Sequence, residues 1–235
     1  MNRFFIASLL FLGAVSFVVT DSFAQEFAAP YKKLEFGPFA SGGLSVFFGT
    51  VPDGSKTDIH VAWTAGALVA YTFKPDFGVA LGLGIENRGM YFHEQSKDEP
   101  NEKIDLSYLS IQPSLKFKSF LLGINIGIPM SVTQTITGTT TQTDPFIVPA
   151  SKITSSDQNT IVDIRIDGLL PLVENDAGNL NFLIQASYCL SDAIGGKGFY
   201  TSSQNTQNSP NPVTKSPLPT VQIGLAYLFS PMGKQ

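Results

Sequence analysis

The sequence predicts an all-β protein: an eight-stranded antiparallel up-and-down transmembrane β-barrel, with tight turns at one end and long loops at the other. Three observations carry this. Eight segments alternate large apolar residues with small or polar ones, the period-2 signature of strands. Only 14% of the 235 residues are charged, against roughly a quarter in ordinary soluble domains. The connections run long, tight, long, tight, long, tight, long, an asymmetry that outer-membrane barrels share and a soluble meander has no reason to show.

Residues 1–24 read as a secretory signal peptide. Asn2-Arg3 is a short positive start, Phe4 to Val19 is apolar with interruptions at Ser8, Gly13 and Ser16, and Ser22-Phe23-Ala24 places small residues at −3 and −1 before Gln25. The apolar run is short of the roughly 20 residues that a spanning helix needs. Residues 25–235 are then the barrel domain, expected in the bacterial outer membrane after cleavage.

The elements follow in order. Leu34 to Phe48 sets Leu34, Phe36, Ala40, Leu44, Val46 and Phe48 against Glu35, Gly37, Ser41, Gly43 and Ser45, and residues 50–59 form a polar loop. His60 to Phe73 carries Val61, Trp63, Ala65, Ala67, Val69, Tyr71 and Phe73 on one face, and Lys74-Pro75-Asp76 turns the chain. Phe77 to Phe92 opposes Phe77, Val79, Leu81, Leu83 and Ile85 to Gly78, Ala80, Gly82, Gly84, Glu86 and Arg88. After a charged loop (His93 to Lys103), Ile104 to Phe117 sets Leu109, Ile111, Leu115 and Phe117 against Tyr108, Ser110, Gln112, Ser114 and Lys116.

Lys118-Ser119 is a turn. Phe120 to Val132 follows, with Leu122, Ile124, Ile126, Ile128 and Met130 opposed to Gly123, Asn125, Gly127, Pro129 and Ser131. Residues 134–160 form a long Thr-, Ser- and Gln-rich loop. Ile161 to Val173 sets Val162, Ile164, Ile166, Leu170 and Leu172 against Asp163, Arg165 and Asp167, and Asn175 to Gly178 is a turn. Leu180 to Ser191 and the closing Val221 to Phe229 flank a second long polar loop, 193–216. In the closing strand Leu228 is the one large residue on the small, polar face.

No charges cover the face opposite the bulky residues of the closing strand, so the greasy side is read as facing lipid. An eight-stranded barrel has room inside only for side chains or one small ligand. The inward charges Glu86, Arg88, Lys116, Asp163, Arg165 and Asp167 must pair once buried, which predicts a structural charge network across the lumen. A narrow gated ion path or a small polar ligand site is the sharper alternative.

Chemistry-bearing motifs are thin. No catalytic, cofactor-binding or metal-ligating residue is singled out, and no enzymatic activity or cofactor is expected. The two histidines, His60 and His93, fall at strand ends near the outer rim. Cys189, the single cysteine, excludes an internal disulfide and reads as a lumen filler. The net charge of −4 argues against nucleic acid.

The stretch Leu106-Ser107-Tyr108-Leu109-Ser110-Ile111-Gln112-Pro113-Ser114-Leu115-Lys116-Phe117 is similar to a strand of the PorT-like outer-membrane β-barrel family, in which a Tyr-Leu pair precedes Ile-Pro and Lys-Tyr. Ile85 to Gly89, Val162 to Gly168, Tyr188 to Ile194 and Ile223 to Phe229 also sit where that family's motifs fall. Gln112 departs from the apolar residue usual before the proline. The resemblance implies an eight-stranded outer-membrane barrel and no catalytic residues. Some members are linked to secretion or gliding machinery.

The function expected is a structural or surface-interaction role: a monomeric barrel in outer-membrane lipid, its lumen filled by side chains. Loops 134–160 and 193–216 would meet other envelope proteins or external ligands. The alternatives are a narrow porin-like channel for small solutes or ions, or an accessory part of a secretion or gliding system. A soluble barrel binding a lipophilic ligand would need an apolar interior, which the inward charges oppose.

Overall fold

The computed structural model describes residues 33–48, 55–94, 101–137, 155–175, 177–194 and 217–230. The signal-peptide segment 1–24, and residues 138–154 and 195–216 of the two long loops, lie outside the described residues.

The strands are β1 (Lys33–Ser45), β2 (Ser55–Asp58), β3 (His60–Lys74), β4 (Phe77–Glu94), β5 (Asn101–Phe117), β6 (Phe120–Thr137), β7 (Ile161–Asn175), β8 (Gly178–Cys189) and β9 (Thr220–Phe229), with one 3₁₀ turn at Ser155–Asp157. All pairings are antiparallel. Beginning with β1–β3, each long strand pairs with the next, and β9 pairs back onto β1 to close the ring. This is an eight-stranded up-and-down barrel with one short addition. β2 continues β3 along β4 but one residue out of step, since Asp58 faces Tyr91 whereas Trp63 faces Asn87. The chain therefore carries an irregularity at Ile59–His60.

Closure at the β1–β9 seam depends on three bare backbones, one of them Gly37, where a Cβ would strike the Tyr227 carbonyl oxygen. A Cβ on Gly43 would strike the Val221 carbonyl oxygen, and one on Gly224 would strike that of Ala40. Glycine inside a strand is weakening in general, and here it is what lets the first and last strands meet.

The tight turns gather at one end. Lys74 pairs with Phe77 and Phe117 with Phe120, and Asn175 Oδ1 accepts from the backbone N–H groups of Ala177 (3.0 Å) and Gly178 (2.9 Å). Lys118 sits in the left-handed region at φ 52°. Phe229 faces both Phe36 and Gly178, so the end of β9 and the start of β1 share this rim.

At the loop end the strands run further than the sequence pattern predicts. Alternation assigns residues 50–59 to loop, yet Ser55–Asp58 is β2. β4 continues to Glu94, β5 begins at Asn101, and β6 reaches Thr137, paired with Asn101. Thr133, Thr135 and Thr137 are polar, which hides them from a hydrophobic-period test, but β-branched residues suit an extended ladder. The wall of β2, β4, β5 and β6 thus stands above the rest of the rim. Pro129 is accommodated beside a bulge, where Ser107 faces Ser131 but Tyr108 faces Pro129.

The polarity is inverted relative to a water-soluble barrel. Trp63, Val69, Leu81, Leu83, Ile85, Leu109, Ile124, Ile164, Ile223 and Leu225 are 41–57% exposed on the outer surface. Glu86, Arg88, Asn125, Asp163 and Arg165 are at most 3% exposed and point inward. The core of this protein is its lumen.

Candidate functional site

Four layers fill the lumen from the tight-turn end to the loop end, and the register between strands sets each residue's height. At the tight-turn mouth lie Glu35, Lys116, Asn179 and Asn181. Lys116 Nζ sits 2.5 Å from Glu35 Oε2, and Lys33 Nζ is 2.8 Å from Glu35 Oε1. These groups line an open pocket of about 120 Å³ whose floor includes Leu169 and Leu228.

The floor belongs to the second layer, an apolar seal of Phe39, Leu68, Ala70, Ala80, Leu121, Leu169, Leu183, Ala226 and Leu228. Every one of these lies on a strand that is laddered on both sides. They are apolar residues on the otherwise small and polar inward face, so no single strand's pattern reveals a seal. Leu228, the exception in the closing strand, is one of its members.

The third layer is polar and wholly buried. Arg88 is its centre: Nη2 donates to Glu86 Oε1 (2.5 Å) and to Asp163 Oδ2 (2.6 Å), Nε donates to Glu86 Oε1 (3.1 Å), and Nη1 to the Leu218 carbonyl (3.1 Å). Asn125 Nδ2 donates to Glu86 Oε2 and to Asp163 Oδ2, each at 2.9 Å. Ser110 Oγ donates to Asn125 Oδ1 (2.6 Å), and Gln112 Nε2 donates to Ser110 Oγ (2.6 Å). Below this group Arg165 Nε donates a bifurcated hydrogen bond to Asp167 Oδ1 (2.8 Å) and Oδ2 (3.1 Å). On the opposite wall Gln222 Oε1 accepts from Ser41 Oγ (2.6 Å) and Thr64 Oγ1 (2.9 Å), while Ser41 also reaches Gln185.

The six inward charges therefore do not form one cross-lumen web. Glu86, Arg88 and Asp163 meet. Arg165 and Asp167 pair with each other one step along β7, and Lys116 is beyond the apolar seal with Glu35. The reason is register: Lys116 is near the turn end of β5, where Gly78 is its β4 neighbour, whereas Glu86 faces Tyr108. The predicted network lacks Glu35, Asn125, Gln112 and Gln222, which the structure adds as partners. An acid or amide recurring among inward glycines and serines is the signal that finds them.

The fourth layer is a second apolar cluster: Phe47, Met90, Phe92, Ile104, Leu106, Tyr108, Ile161, Cys189, Ala193, Ile194 and Leu218. Ala193 and Ile194 thus belong to the lumen packing, although the sequence assigns all of 193–216 to polar loop. Cys189 fills the lumen at 2% exposure, with Sγ 3.1 Å from the Ser191 carbonyl. His60 is also buried, at 3% exposure. Its Nε2 is 2.8 Å from Asp105 Oδ1, so its charged neighbour lies across on β5. The ring occupies the space that a side chain at Gly89 would need. Among the described residues no group of three His, Cys, Asp or Glu side chains is placed to hold a metal ion.

No protein-family model matches the chain, and no curated protein matches it. Solved structures that it resembles include the outer membrane protein OprG from Pseudomonas aeruginosa, 10% identical over 86% of this chain and 97% of that one, with a TM-score of 0.35. Another is Ail, the attachment invasion locus protein of Yersinia pestis, in complex with the heparin analogue sucrose octasulfate (14% identity, 85% and 99% covered, TM-score 0.35). A third is the outer membrane protein AlkL in DMPC lipid bilayers (12% identity, 90% and 97% covered, TM-score 0.34).

Proposed function

We propose that this chain is a bacterial outer-membrane β-barrel with a sealed lumen, serving as a rigid, non-enzymatic anchor for surface loops. The observation that carries the reading is the inverted polarity. The outward belt includes Trp63, Val69, Leu81, Leu83, Ile85, Leu109, Leu122, Ile164, Ile223 and Leu225, all more than two-fifths exposed. Together with their neighbours they present an apolar band on the order of 1,000 Å², against the few hundred that a soluble monomer tolerates in one patch. Left in water, that area would forgo tens of kcal/mol at about 25 cal/mol per Å². Lipid removes the penalty, and ring closure satisfies the backbone inside hydrocarbon.

Two aromatic girdles support the same orientation. At the tight-turn rim Phe36 stacks near Phe229 (5.8 Å between ring centroids), Phe229 near Tyr227 (4.7 Å), Phe73 near Phe77 (5.1 Å) and Phe77 near Phe117 (5.2 Å). Towards the loop end Phe48, Trp63 and Tyr188 are 37–56% exposed. Trp63 and Phe73 are ten residues apart on β3. At roughly 3.3 Å per residue and a tilt of roughly 40°, that distance covers about 25 Å of membrane normal. The tight turns then face the periplasm and the tall wall of β2, β4, β5 and β6 the exterior.

The two apolar seals favour an anchor over a channel, since Phe39, Leu121 and Leu183 interrupt the polar lining among the described residues. The short motifs shared with PorT-like barrels support placing the chain with that group, in which an accessory role in secretion or gliding is the finer reading. Surface contacts would be made by loops 134–160 and 193–216. Membrane fractionation with planar-bilayer recording tests the proposal. It expects the folded protein in the outer-membrane fraction with no steady conductance, and steady openings would instead favour the porin-like alternative.

A further inference from the structure

The two seals are built differently. The tight-turn seal is made of side chains carried on the barrel strands themselves. Opening it would require unzipping the barrel itself. The loop-end seal borrows Ala193, Ile194 and Leu218 from the chain just past β8 and just before β9. These pieces lie outside the barrel strands, and backbone bonds and one isolated bridge tie them down among the described residues. Asn159 donates to the Ala193 carbonyl (3.0 Å), Phe48 to Pro217 (3.3 Å) and Val46 to Pro219 (3.1 Å), and Gln158 bridges to Ile194. Inside, the Leu218 carbonyl is gripped by Arg88 Nη1 at 3.1 Å, and Arg88 is itself fixed by Glu86 and Asp163.

Segments with few ladder bonds open at lower free energy than the elements they cover. We propose that Ile194 and Leu218 form a releasable stopper latched by Arg88, so that the buried charge layer is reached from the loop end alone. The barrel is then a one-ended cup, not a pore. The Glu86–Arg88–Asp163 cluster acquires a second role in this arrangement, because it fills the lumen and also holds the stopper down through a backbone carbonyl. The inference rests on the sealed-barrel reading above and assigns to its loop end a way of opening.

The protein carries its own reporter. Cys189 is the only cysteine, buried at 2% exposure within the loop-end cluster and facing Asp163 across the β7–β8 ladder. Its reaction with a small water-soluble methanethiosulfonate reagent in the folded, detergent-solubilised barrel reads stopper opening. Leu218→Ala and, separately, Ile194→Ser should each speed labelling by about tenfold or more, because each removes apolar packing from the stopper. Leu183→Ala, in the tight-turn seal, should leave the rate unchanged. Heat-modifiable migration on gels confirms that each variant is folded. The proposal is overturned if both stopper variants label at the native rate, or if Leu183→Ala accelerates labelling equally. Steady ion conduction by the Leu218→Ala/Ile194→Ser double variant would overturn the one-ended cup, whereas steady conduction by the native chain would overturn the sealed-barrel reading itself.

Discussion

Removing Arg88 should be among the most damaging single changes available to this barrel. The guanidinium is 0% exposed, and it is the cation in contact with both Glu86 and Asp163. In Arg88→Met the two carboxylates keep Asn125 Nδ2 at 2.9 Å from each, but lose three hydrogen bonds and their counter-charge. Breaking a buried pair by deleting one partner costs about 3–5 kcal/mol. The matched triple variant Glu86→Gln/Arg88→Met/Asp163→Asn removes all three charges while keeping amides beside Asn125. It should fall within about 1–2 kcal/mol of the native chain. Urea unfolding in lipid vesicles, followed by the fluorescence of the single tryptophan, Trp63, measures both. A loss of less than about 1 kcal/mol in Arg88→Met, or a triple variant that falls as far as the single one, would show that the buried charges are not held by their pairing.

Three other outcomes follow from the same structure. Leu83→Arg, at a belt position 48% exposed, should cost about 2–4 kcal/mol in bilayers, whereas a soluble barrel would take the same change almost neutrally; vesicle unfolding titrations distinguish the two. Lys118→Gly should stabilise by up to about 1 kcal/mol, because φ 52° strains a residue with a Cβ, and the shift is readable as a higher unfolding midpoint. Deleting residues 201–212 should leave heat-modifiable folding intact and alter only adhesion of cells displaying the protein; a chain that no longer folds would contradict the anchor-and-loop reading.

The barrel is legible in the sequence because alternation is a local property. Val221 to Phe229 or Phe77 to Ile85 each declare a two-faced strand without reference to any partner, and the length rhythm of the connections orders them into a meander. What alternation cannot show is which inward residues share a height. Lys116 and Glu35 pair although 81 residues separate them, and Glu86 meets Asp163 through Arg88 because the ring closes, a geometric fact that no single strand contains. The seals are hidden for a related reason. Phe39, Leu121 and Leu183 look like noise on a polar face until the lumen assembles them. The strands also run further at the loop end because threonine and serine can extend a ladder without any apolar signature, as at Thr133 to Thr137.

In the barrel as proposed, the bulky side chains clothe the outside of a cylinder and touch lipid. Trp63, 43% exposed on that surface, reports on it directly. In vesicles containing lipids brominated along the acyl chain, its fluorescence should be strongly quenched while aqueous iodide has little effect. A tryptophan quenched by iodide and indifferent to brominated lipid, in a chain that stays in the aqueous phase, would contradict it.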